Sequence, residues 1–127
     1  MQNRRRFIRS VALGGGTLAI GRRVRAFSDT TVKPLVVSTW DFGLQANEAA
    51  WKVLTAQGIA LDAVEAGARV PEADPAIQTI GLGGLPDRDG HVTLDACVMD
   101  DKGNAGSVGC LEGIVHAVSV ARKVREK

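Results

Sequence analysis

One stretch of this chain, residues 91–109 (HVTLDACVMDDKGNAGSVG), has an apolar pattern with a strict period, and it limits the folds open to the rest. Val92, Leu94, Ala96 and Val98 alternate with Thr93, Asp95, Cys97 and Met99, as a strand with two distinct faces requires. The Asp-Asp-Lys-Gly-Asn cluster at 100–104 supplies turn chemistry, and residues 105–109 return as a second strand, which predicts a hairpin with a five-residue loop. Apolar or small groups stand on both faces, so cover is expected on both sides. The helices before and after must pack onto this element.

That register also decides the cysteines. It sets Met99 opposite Ala105 and Cys97 opposite Ser107, and leaves Cys110 near Leu94 on the other face. A disulfide needs its Cα atoms within about 7 Å and converging Cβ vectors. Two free, buried thiols are therefore expected. Neither has a Cys or His neighbour at metal-ligand spacing, so they read as small core residues.

A chain of 127 residues is room for one domain. Charge then splits it. Arg4, Arg5, Arg6, Arg9, Arg22, Arg23 and Arg25 precede every acidic residue; after them nine bases face 14 acids, a net charge of −5. The folded part is acidic, which argues against a nucleic-acid partner. No run of 18 apolar residues exists to cross a membrane.

Residues 1–26 read as an address. Asn-Arg-Arg-Arg-Phe-Ile-Arg (3–9) resembles the twin-arginine export motif, a Gly-rich apolar stretch follows, and Val24, Arg25 and Ala26 offer a cleavage point. Periplasmic or secreted localisation is the expectation, with no membrane association after signal removal. Residues 27–33 form a polar linker. Residues 35–39 (LVVST) predict a short buried strand that delivers Trp40 and Phe42 to a loop. Asn47 is a candidate cap for a first helix that stops at Gly58. Leu61, Val64 and Ala68 mark a second, with Asp62 in its first turn, ending before Pro71.

Residues 71–90 are rich in Pro, Gly and Asp and read as loop. Gly81-Leu82-Gly83-Gly84 does not make a dinucleotide motif, because Pro86 stands where the last glycine belongs; tight backbone packing is the expectation. The last helix is predicted over 111–127, with Ile114, Val118 and Ala121 along its apolar stripe and His116, Ser119 and Lys123 on a solvated side. The chain stops at Lys127 with no glycine cap, as one cut inside a larger domain would.

Several segments together carry a resemblance: Pro-Leu-Val-Val-Ser-Thr-Trp (34–40), Glu-Ala-Ala-Trp (48–51), Leu-Asp-Ala-Val-Glu (61–65), Gly-Leu-Gly-Gly-Leu-Pro-Asp (81–87), Thr-Leu-Asp-Ala-Cys-Val-Met-Asp (93–100), Gly-Ser-Val-Gly (106–109) and Val-Ala-Arg-Lys-Val (120–124). In order and spacing they resemble the N-terminal part of the glycosylasparaginases, N-terminal-nucleophile hydrolases also called N4-(β-N-acetylglucosaminyl)-L-asparaginases. One departure is Asp101, where the family usually has glycine.

The resemblance implies an α/β (α+β) fold in which residues 34–127 form the N-terminal (α-chain) portion of a partial αββα sandwich. It implies a precursor that cuts itself, frees an amino-terminal threonine as nucleophile, and hydrolyses glycosylated asparagine with no metal or organic cofactor. The expected partner is a β chain or the downstream portion of the same precursor, with an (αβ)2 assembly for the complete enzyme. The family's His-Asp-Thr-Ile-Gly cleavage sequence is not present here, so no catalytic residue is assigned. Asp29-Thr30 lacks the flanking histidine and glycine and reads as linker. Trp40 matches the family's α-chain tryptophan that walls the asparagine pocket and is the one substrate-binding assignment; Trp51 reads as packing. Two other readings stand beside this one: a non-enzymatic truncated remnant, and an isoaspartyl peptidase or L-asparaginase of the same superfamily.

Overall fold

A computed structural model describes residues 33–127. The segment expected to be a signal, residues 1–26, and Asp29 and Thr30 lie outside the described residues. Helices α1 (Gly43–Thr55) and α2 (Ala60–Glu72) come first, then a 3-10 turn (Gly81–Gly83), strands β1 (Leu94–Met99) and β2 (Ala105–Leu111), and helix α3 (Ala117–Arg125). The described residues thus form a mixed α/β unit with a two-stranded antiparallel sheet.

The hairpin forms in the expected register, Met99 opposite Ala105 and Cys97 opposite Ser107. Asp100 builds its loop: one carboxylate oxygen accepts the Lys102 and Asn104 N–H groups at 2.9 and 2.7 Å, and Gly103 takes a positive φ of 82° that its lack of a Cβ permits. The preceding loop repeats the device. Asp87 accepts the N–H groups of Asp89 and His91, both at 2.9 Å, with Gly90 at φ 89°.

Beyond Ala96 the ladder changes register, and β2 runs two residues past the expected end so that Leu111 pairs with Leu94. The extra residue of this bulge bends the arm. Cys110 is held there at φ 55°, its N–H donating to Asp95 Oδ1 at 2.7 Å.

One face of the hairpin is covered. Val98, with half-buried Ala96 and Val108, meets Leu61 of α2 and Val118 and Ala121 of α3. The opposite face, carrying Asp95, Cys97, Met99 and Ser107, is exposed, which corrects the expectation of cover on both sides. The cause is layering: α1 packs on α2 and not on the sheet, so a single helical layer reaches the strands. Both cysteines are free, as expected, but exposed and not buried. Cys97 stands on the uncovered face and Cys110 at the bulge.

Four other expectations are corrected. Residues 35–39 form no strand and, but for half-buried Val36, are exposed and not buried, since no described backbone lies alongside to supply ladder hydrogen bonds. Helix α1 begins at Gly43, four residues before Asn47, because Leu44, Gln45 and Ala46 continue the helical turn and the Gly43 N–H already closes on the Trp40 carbonyl at 2.9 Å. Helix α2 passes through Pro71 to Glu72; a proline in the last turn forfeits one helical bond, and the Ala73 N–H still closes on the Arg69 carbonyl at 3.2 Å. Helix α3 begins at Ala117 and not at Leu111, which is engaged in β2, and the chain turns between them at Gly113 (φ 67°).

Close backbone approach fixes how the elements meet. A Cβ on Gly67 of α2 would lie 2.9 Å from the Ala46 carbonyl of α1. On Gly106 it would run into the backbone of α3 at Ala121 and Arg125. Gly81 (φ 58°) rests directly on the Glu72 backbone, the tight packing expected of the Gly81-Leu82-Gly83-Gly84 segment.

Candidate functional site

Trp40 sits not at a strand end but on a turn that opens α1. Its indole is 64% exposed and stacks on Phe42, ring centroids 6.2 Å apart and planes 8° from parallel. Beside it is an open depression lined by Trp40, Asp41, Phe42 and the loop from Ala76 to Thr79. Asp74 shapes that loop, its carboxylate accepting the Ala76 N–H at 2.8 Å and its carbonyl the Ile77 N–H at 3.2 Å. The depression offers a flat aromatic wall, one acid at Asp41 and the amide and hydroxyl of Gln78 and Thr79. Such a surface suits a polar ligand with an apolar face. The Asp41, Gln78 and Thr79 contributions lie outside every motif in the sequence and were not legible in it.

Trp51, expected to be packing, is 45% exposed and lines an apolar groove between α1 and the segment before it, with Leu35, Val36 and Leu44. Leu35, Val37 and Leu44 are 80%, 78% and 69% exposed.

A second polar centre ties α2 to α3. Glu72 is buried, and its carboxylate accepts the Val118 N–H at 3.0 Å in the first turn of α3. His116 was expected on a solvated face; it is half-buried instead, its Nδ1 3.4 Å from the other Glu72 oxygen, because α3 begins one residue later and His116 occupies the cap position. Burial raises the Glu72 carboxyl above the usual glutamate range, and the Val118 hydrogen bond and the nearby His116 imidazole oppose this only in part.

On the same interface Arg122 holds Asp62 at 2.6 Å, Glu65 at 2.7 Å and Glu126 at 2.8 Å, and Ser119 donates to Glu65 at 2.5 Å. Burial would raise the Glu65 carboxyl, but the bonds from Ser119 and Arg122 outweigh it and leave it lowered. Arg125 pairs with Asp100, clasping α3 to the hairpin loop; hydrogen bonds from Asn104 and Arg125 hold that carboxyl far below its ordinary range.

These centres bind helices and not chemistry. Ser119 does donate to the Glu65 carboxylate, but Arg122 also holds that carboxylate, and among the described residues no group of three or more His, Cys, Asp or Glu is placed to hold a metal ion. No described helix is long and apolar enough to cross a membrane.

Comparison with known proteins supplies what the geometry leaves open. The asparaginase family model matches residues 18–127. An N(4)-(β-N-acetylglucosaminyl)-L-asparaginase of Elizabethkingia miricola is 52% identical over 98% of this chain, which corresponds to 38% of that relative's length, its N-terminal part. The enzyme of the same name from Mus musculus is 50% identical over 73% of the chain and 27% of its own length, and a putative one from Drosophila melanogaster is 40% identical over 73% and 25%. The chain therefore spans well under half the length of these relatives.

Proposed function

This chain belongs to the asparaginase family of N-terminal-nucleophile hydrolases, and from that premise we propose that it forms the α-chain portion of an amidohydrolase that cleaves the N4-(β-N-acetylglucosaminyl)-L-asparagine linkage. The observation that carries this reading is the 52% identity, sustained over 98% of the chain, to the N-terminal part of a relative named for that activity. The unpaired segment 35–39 and the open hairpin face agree with it, since both are surfaces that a second sheet would complete into an αββα sandwich.

In this proposal the nucleophile is the amino-terminal threonine of a β portion. A threonine hydroxyl is a weak nucleophile, and its own α-amino group serves as the adjacent base. It attacks the side-chain amide carbon of the glycosylated asparagine, the glycosylamine leaves, and water releases aspartate from the acyl-enzyme. The present residues supply scaffold and one pocket wall at Trp40; alone they are inactive. The complete enzyme assembles as (αβ)2, and the twin-arginine segment directs it to the periplasm.

The test is a chimera in which this chain replaces the matching N-terminal part of the Elizabethkingia miricola enzyme. Hydrolysis of N-acetylglucosaminyl-asparagine in preference to isoaspartyl dipeptides is the expected result. Preference for the isoaspartyl substrates, or activity of the 127-residue chain by itself, contradicts the proposal.

A further inference from the structure

An indole as exposed as that of Trp40 samples several rotamers unless a neighbour restrains it. Phe42 is that neighbour. The two rings lie 8° from parallel with centroids 6.2 Å apart, inside the range where aromatic pairs attract. Phe42 is itself held: its N–H donates to Asp41 Oδ1 at 2.9 Å, and the next residue, Gly43, closes the turn on the Trp40 carbonyl at 2.9 Å. Gly43 also lies against Ser38 so closely that no Cβ fits between them. The turn from Trp40 to Gly43 is thus a rigid step at the start of α1, and Phe42 is the part of it that touches the indole.

Resting on the reading that Trp40 walls the substrate pocket, we infer that Phe42 is a positioning residue, which stacks on one side of the indole and fixes the orientation in which Trp40 meets the ligand. Its effect falls on binding, because an indole released into several rotamers must be reordered when ligand arrives. An aliphatic side chain of similar bulk fills the space without stacking, whereas tyrosine keeps the ring.

Two measurements test this. In the 127-residue chain carrying Trp51→Phe, diluted below the concentration at which it self-associates, Trp40 is the sole remaining indole, and its fluorescence anisotropy reports ring mobility without any turnover. Phe42→Leu lowers that anisotropy, and Phe42→Tyr restores it. In the Elizabethkingia chimera, with N-acetylglucosaminyl-asparagine as substrate, Phe42→Leu raises KM about 2- to 10-fold with kcat little changed, and Phe42→Tyr recovers the parent value. Anisotropy and KM both unchanged in Phe42→Leu, or a tyrosine variant that behaves as the leucine variant does, overturn the inference. Trp40→Ala separates the two readings: if it raises KM while Phe42→Leu does not, only the positioning role falls. If Trp40→Ala leaves KM unchanged, the pocket role of Trp40 falls with it.

Discussion

Glu72 and Arg122 stabilise the same helix pair in opposite ways, and acid tells them apart. The Glu72 carboxyl is buried and titrates above its ordinary value of 4.5. The stabilisation its protonated form confers is therefore complete below that value and is lost as the pH rises through the raised one. Glu72→Gln keeps an acceptor for the Val118 N–H and removes the titration. Thermal melts of the two proteins should accordingly diverge in favour of the parent as the pH is lowered from 7 to 4. Glu65 has the reverse sign: lowered by Ser119 and Arg122, it contributes stability above the ordinary glutamate range that is lost as the pH falls through its folded value. Arg122 is 21% exposed and holds three carboxylates. Arg122→Met should cost about 1–3 kcal/mol, read as a lower urea midpoint at unchanged slope.

At the scale of elements, α3 is seated on the hairpin by the absence of one side chain. Gly106 of β2 leaves room for the backbone of α3 at Ala121 and Arg125. Gly106→Ala should push the helix off the sheet and cost about 1–3 kcal/mol, whereas an added methyl on Gly109, whose Cβ would meet nothing closer than Asp95 Oδ1 at 3.4 Å, should cost less. Comparing the two urea midpoints checks this. Elements whose information is local were legible in the sequence: the period of two, the Asp-x-x-Gly loop and the glycine past α1 all act within a few residues. Elements defined by distant contacts were not. Residues 35–39 read as a strand by composition, but pairing makes a strand. His116 and Glu72 are 44 positions apart and meet only once α3 is docked, so neither sequence neighbourhood announces a buried acid. Trp40 was found through the family segment that contains it, and its stacking partner Phe42 and the wall at Gln78 and Thr79 through geometry alone.

The whole molecule has a thin interior for the apolar residues it carries. Among the described residues the buried apolar positions are Ala50, Leu61, Ala63, Val98, Ala117, Val118 and Ala121, four of them alanines, while Leu35, Val37, Leu44 and Leu85 stay more than two-thirds exposed. Leu35 and Leu44 share the groove with Val36 and Trp51, and exposed apolar surface of this kind marks a face that another polypeptide covers or on which chains aggregate. The 127-residue chain alone should bind a hydrophobic dye such as ANS and self-associate as concentration rises, and the complete chimera should not. A dye-silent monomer with a sharp melt would contradict that.

Cys97 and Cys110 lend this a chemical readout that requires no engineering. Cys97 stands on the side of the hairpin turned away from the helices and Cys110 at the bulge, and both are exposed to maleimide or Ellman's reagent as the chain stands. In the αββα sandwich proposed above a second sheet closes over that side and takes Cys97 out of reach, so on that proposal the rate of thiol labelling becomes a clock for the two halves coming together.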